Sequence, residues 1–262
     1  MNSIACVSLF KTGLLSSYRD RSMLITDLVI ATGIPFFIQF AVWTFVYEGA
    51  RADELPGYSL DEMYLYYICV LALGRFNNAY DLVMDVSEHV RQGQLESFFV
   101  KPLSYLSYHF YIFLGGASLY FIPLVVIAVY MGFTGTGWVG PLGFLGLSVL
   151  NLVLCFIVGF LMSLAAFWLT KSDMIISFQV VLSSVVGGTL LPLSYWPETI
   201  KPFMQYNPFR LFISGPAEFL LRPSMALGVE LLLLFIVWFV LIYGACSIFY
   251  KLACVRYSSV GG

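Results

Sequence analysis

"LSYLSYHFYIFLGGASLYFIPLVVIAVYMGF", residues 103–133, holds no Asp, Glu, Lys or Arg, and none follows until after Thr170. A bilayer core about 30 Å thick needs ~20 apolar residues in a helix, so this stretch is long enough to cross. "TGTGWVGPLG" (134–143) reads as a tight turn, because Gly and Pro punctuate helices, and 144–169 is a further crossing. Two such runs back to back set the class: an all-α integral membrane protein. The whole chain agrees, with 262 residues, 60 % hydrophobic, 11 % charged and a mean hydropathy of +0.88. A soluble domain carries about 25 % charged residues. The net charge of −2 points to no nucleic-acid partner and no strong anionic-lipid anchor.

Working outward, 28–47, 174–193 and 231–250 are also apolar enough to span, and 63–74 is a shorter run ended by Arg75. The expectation is six transmembrane helices in a single transmembrane domain, 1–262. An even count puts both termini on one side. With the N-terminus cytoplasmic, Lys11, Arg19, Arg21, Arg91, Lys101, Lys171, Lys251 and Arg256 lie inside, and Arg51, Lys201, Arg210 and Arg222 outside. That asymmetry obeys the positive-inside rule. Residues 1–22 lack the uninterrupted apolar core of a signal peptide. Cys6, Cys69, Cys155, Cys246 and Cys254 show no metal-ligand spacing and read as small apolar residues.

Three segments are not plain spans. In 1–22, Val7, Phe10, Leu14 and Tyr18 share one arc, which predicts an amphipathic helix lying in the membrane interface; a disordered tail is the alternative. After the second span, Asn77, Asp81, Asp85 and Glu88 line one side of a helix and Ala79, Leu82, Val83 and Val86 the other. That pattern predicts a helix leaving the bilayer without a stop. Arg75 sits on its apolar side, where it either snorkels to headgroups or faces a polar path with Asn77 and Asn78. His109 reads as an interfacial residue. Residues 194–223 hold five prolines and seven aromatics. Pro-started pieces 197–206 and 208–221 suit short helices, and their Trp and Tyr prefer the interface. The expectation is a re-entrant helical hairpin between spans five and six.

"RQGQLESFFVKPLS" (91–104) lies between spans two and three. Gly93 falls in a slip of the apolar pattern, predicting a bend there. A short two-faced helix with Leu95, Phe98 and Phe99 on its apolar side then runs to about Val100 and ends at Pro102. Such a helix either rests on lipid or docks into a cytosolic partner.

"SEHVRQGQLESFFVKPLSYLSY" resembles the segment after the second span in permeases of type-2 ATP-binding-cassette (ABC) exporters. The shared pattern falls on Glu88, Arg91, Gly93, Leu95, Phe98 to Val100, Lys101 and Pro102. "LLPLSYWPETIKPFMQYNPFRLFISGPAEFLL" resembles the family's second signature, at Pro192, Ser194, Pro197, Asn207, Pro208 and Phe209, and its ending is most similar to a poorly characterised bacterial subgroup. The resemblance implies half of the membrane part of an exporter in the cell membrane. It also implies a second permease subunit, identical or homologous, and two separate ABC ATPase subunits. This chain has no G-x-x-x-x-G-K-[ST] phosphate loop, so the expectation is a transport subunit without its own ATPase site. No cofactor is expected on this chain; ATP and Mg belong to the partner ATPase. Residues 87–102 would be the coupling helix region, with Leu95, Phe98 and Phe99 as docking anchors, Glu88 and Arg91 holding orientation and Gly93 setting the bend. The uncharged spans suit an amphipathic or lipid-like substrate.

An ATP-independent secondary transporter or channel is the rival class. Ion-coupled carriers usually place acidic residues near the midplane, whereas Asp27, Asp81 and Glu230 lie near span ends. An intramembrane enzyme would need motifs such as H-E-x-x-H or G-x-S-x-G, which this sequence lacks.

Overall fold

The computed structural model of the chain describes residues 3–19, 21–49, 57–77, 80–92, 94, 98, 103–134, 137–169 and 173–261. Among them there are helices and turns but no strand. α1 (Ser3–Arg19) and α2 (Arg21–Thr26) lead into a π-helical stretch, Asp27–Gly33, and α3 (Ile34–Gly49). α4 (Leu60–Gly74) begins at a capping box: the Ser59 hydroxyl accepts from the Glu62 N–H, and the Glu62 carboxylate accepts from the Ser59 N–H. These reciprocal bonds satisfy two donors that a helix start leaves open.

The exit from the second span is less regular than one α-helix, and residues 78–79 within it lie outside the described residues. α4 stops at Gly74, a 3₁₀ turn covers Arg75–Asn77, and α5 (Tyr80–Arg91) follows. The two-sided pattern on α5 is as its sequence predicts: Leu82, Val83 and Val86 are buried, while Asp81, Asp85 and Glu88 are exposed. α6 (Tyr105–Ala117) continues through a 3₁₀ turn at Ser118–Tyr120 into α7 (Phe121–Phe133). α8 (Val139–Ser163) runs on as a 3₁₀ turn, Leu164–Phe167. α9 (Asp173–Val186) is followed by three short helices, α10 (Lys201–Tyr206), α11 (Pro208–Phe212) and α12 (Ser214–Leu221). α13 (Met225–Gly261) closes the chain with 37 residues.

Among the described residues, three helical runs are long and apolar enough to cross a membrane: Tyr105–Phe133, Val139–Phe167 and Met225–Val255. They play different parts. In the most apolar window of each, 67 % of residues are buried for Val139–Phe167, against 22 % and 6 % for the other two. α8 is therefore the central helix, wrapped by protein, while α7 and α13 turn apolar faces outward. The fifth expected span is shorter than the hydropathy suggests. α9 ends at Val186 because Gly187 and Gly188 turn the chain, Gly188 with φ +91°. A Cβ at Gly188 would also lie 2.8 Å from both the Ser214 Cβ and the Tyr66 hydroxyl.

α1 is not a free tail. It lies against α6 along Cys6, Phe10 and Gly13, and the contact depends on reciprocal glycines. A Cβ at Gly13 would sit 2.1 Å from the Ile112 carbonyl oxygen, and one at Gly115 would sit 2.1 Å from that of Phe10. The packed face is rotated from the arc read in the sequence: Phe10 and Leu14 face in, while Val7 and Tyr18 are exposed beside Ile4 and Leu15.

Candidate functional site

At one end of α8 the Pro-rich segment is built inward. Asn207 is the N-cap of α11; its side-chain oxygen accepts from the Arg210 N–H at 3.0 Å and its amide donates to the Val186 and Met204 carbonyls. Pro208 then takes the first helical position, where its missing N–H costs nothing. Pro192 precedes a 3₁₀ turn at Leu193–Tyr195, Ser194 sits beside Gly57, Pro197 is exposed, and the ring of buried Phe209 meets Phe212 edge-on at 5.5 Å. The second expected piece of the hairpin divides at Ile213, where φ −133° and ψ −75° end the helix. The Ser214 N–H reaches the Gly187 carbonyl at 3.1 Å, and Asn151 of α8 donates to the Phe212 carbonyl at 2.7 Å. Tyr66 and Tyr67 of α4 donate to the Gly188 and Leu190 carbonyls at 2.8 and 3.0 Å.

Sequence reasoning missed the charged centre of this cluster. Arg210, counted only among the outside cations, is buried, and its guanidinium donates to Glu218 at 2.9 Å and Glu230 at 2.6 Å. Burial pushes the Glu218 carboxyl up, against the pull of Arg210. The signal available was an arginine and a glutamate in an otherwise apolar segment, since such charges persist in low dielectric only when paired.

Beside the second half of α8, the other group of polar residues surrounds open space. α1, the 3₁₀ turn after α4, α5 and α6 enclose a cavity of about 340 Å³, lined among others by Ser17, Arg75, Asp81, Asp85 and His109. Of the polar group read as a substrate path, Arg75 lines this cavity; the Asn77 side chain and Asn78 lie outside the described residues. The surrounding protein, with Asp81 and Glu88 nearby, raises the Asp85 pKa. His109, read as interfacial, is 2 % exposed and packed edge-on against Tyr105 with ring centroids 4.5 Å apart.

The coupling segment is partly described. Gly93, Leu95, Phe99, Lys101 and Pro102 lie outside the described residues, as does the Arg91 side chain. Glu88 accepts from the Gln92 side chain at 2.5 Å, one helical turn on. Phe98 is helical and points inward: it is 8 % exposed, with its ring 4.8 Å from that of Tyr105, 4.9 Å from Tyr108 and 5.3 Å from His89. His89 Nδ1 and the Tyr105 hydroxyl stand 3.1 Å apart, in hydrogen-bond contact. Tyr105 in turn stacks on Tyr250 of α13 at 6.4 Å. Phe98 thus ties the segment to α5, α6 and, through Tyr105, the last helix.

A helical membrane chain with a central buried helix, a proline-rich set of short helices and a charged inter-helix segment has the build of a transporter's membrane subunit. The chain belongs to the ABC-2 family transporter proteins, whose family model matches residues 34–261. It is thus an ABC-2 type permease, a transport subunit located in a membrane, with ABC ATPase subunits as the partners that membership implies. No curated protein matches the chain.

Proposed function

We propose that this chain is the membrane-spanning subunit of an ATP-driven exporter in a bacterial cell membrane, with six spans and both termini cytoplasmic. The family match over residues 34–261 carries this reading. Two copies, or one copy and a sister permease, would form the path, and two separate ATPase subunits carrying ATP and Mg would power it. Residues 87–102 would be the coupling helix region, with Leu95 and Phe99 toward the ATPase and Glu88, Arg91 and Lys101 at its rim. Gly93 and Pro102 would set its two ends. Phe98, held by Tyr105, Tyr108 and His89, would pass the push from the ATPase into α6 and α13. The segment from Pro192 to Leu221 would be the re-entrant hairpin in the outer leaflet, and α1 would brace the inner face. ATP-driven closure would then shift packed helices as rigid bodies between two states.

The test is reconstitution with an ABC ATPase subunit from the same cell. The complex is expected to co-purify, and Leu95→Asp is expected to abolish the permease's stimulation of ATPase activity while membrane insertion persists. An ATPase rate unchanged by Leu95→Asp overturns the coupling assignment, and failure of the ATPase to associate overturns the exporter.

A further inference from the structure

We infer that the cavity between α1, α5 and α6 is a binding site for the protonated amine of an amphipathic molecule. The described residues lining it present one guanidinium, Arg75, against two carboxylates, Asp81 and Asp85. The site is therefore electronegative overall, and a ligand led by an anionic group would meet two like charges for each opposite one. An ammonium reverses that balance: near Asp85 it relieves the repulsion among Asp81, Asp85 and Glu88.

A second observation is independent of the carboxylates. His109 lines the same cavity, is 2 % exposed, and its Nε2 has no hydrogen-bond partner. Leaving a buried polar atom unsatisfied is unfavourable, and an imidazole nitrogen with a free lone pair accepts an N–H bond. An alkylammonium has three N–H donors, enough for a carboxylate and an imidazole together. The remaining walls set the rest of the molecule. Phe76, Leu82 and Phe113 are apolar, and the Phe76 and Phe113 rings suit a cation as well as an alkyl chain. At about 340 Å³ the space takes a head group and the start of a chain. That this amine is cargo rests on the exporter reading; that it binds does not.

The experiment measures binding of radiolabelled octylamine to the purified full-length permease in dodecyl maltoside, without ATP, with octanoate and octanol as matched-length controls. Saturable octylamine binding is expected. Asp85→Asn and, separately, His109→Phe should each weaken it about tenfold, the loss of one charge-assisted hydrogen bond, with elution profile and helical content unchanged. Asp85 is exposed and Asn nearly isosteric, so that variant keeps the test valid if His109→Phe misfolds. Octanoate binding as tightly as octylamine, or octylamine binding unaltered by Asp85→Asn, overturns the inference. Repeating the titration in phosphatidylcholine nanodiscs with added phosphatidylethanolamine separates two sources. Competition assigns the amine to a lipid headgroup, unchanged binding to a free amphipathic amine, and either supports the site. A permease that binds octylamine but recruits no ATPase retains this site and loses the exporter reading; one that recruits its ATPase but binds no octylamine does the reverse.

Discussion

Around the first half of α8, Arg210, Glu218 and Glu230 close on one another at 2.6 and 2.9 Å, and the neighbouring turns are tied by bonds to backbone carbonyls. Alongside its second half, Arg75, Asp81, Asp85 and His109 are arranged about a cavity. Both groups are charges in a chain with few of them, yet one fills its own space and the other surrounds a space. Paired charges in low dielectric hold helices in a single arrangement. Asp81 and Asp85 of the second group are exposed instead, beside a space that another molecule can enter. The contrast separates a region built to hold shape from one built to receive.

The largest expected effect breaks the closed region. Arg210→Met leaves Glu218 and Glu230 without their guanidinium, and breaking a buried pair from one side costs about 3–5 kcal/mol. Replacing the inner pair together, Arg210→Met with Glu218→Leu, should recover much of that loss, because apolar substitutes for a buried ion pair are often neutral. Thermal unfolding of both variants in detergent checks the order. If the single and double variants unfold at the same temperature, the triad is not what holds α11 and α12 to α13.

Much of this contrast was legible in the sequence, though unevenly. The apolar runs of α6 to α8 and the two-sided pattern of Leu82, Val83 and Val86 against Asp81 and Asp85 were visible because they are local and periodic. The short helix begun at Pro208 was visible because turn chemistry is local too. The Arg210 triad was not, since Glu218 and Glu230 come from different helices and only tertiary packing brings them together. For the same reason the burial of His109 was not visible: besides Tyr105 and Tyr108 on its own helix, it meets His89 from α5. The 3₁₀ turn at Arg75–Asn77 was hidden because Phe76 and Val83, seven residues apart, continue the helical spacing across it.

A smaller effect is expected where α1 meets α6, the wall of the open region. Gly115→Leu drives a side chain into the Phe10 carbonyl, and overpacking of this kind costs about 1–3 kcal/mol. The loss should be local, because α1 has little else to hold it. Proteolysis should therefore cut α1 faster in the variant while the unfolding midpoint of the remaining bundle changes little. A midpoint that falls as far as in Arg210→Met would mean that α1 belongs to the rigid frame, and the comparison between the two regions would fail.

The smallest effect tests whether pairing alone gives rigidity. Arg222 donates to Glu62 at 2.9 Å and lies over the Tyr58 ring at 4.9 Å, but its side chain is 53 % exposed. Water screens such a pair, so Arg222→Met should cost no more than about 1 kcal/mol, less than a third of the Arg210 effect. Burial alone would raise the Glu62 pKa, but the bonds from Arg222 and the Ser59 N–H outweigh it and hold the carboxyl below its usual range. A depressed folded-state pKa stabilises above the unfolded value and is lost as pH falls through the folded one. The gap in unfolding midpoint between wild type and Arg222→Met should accordingly be present at neutral pH, shrink below pH about 4 and shrink in high salt. A gap that survives both acid and salt would place its origin in the packing of the arginine stem on Tyr58. An ion pair in this chain would then hold shape only where, as at Arg210, the surrounding protein excludes water.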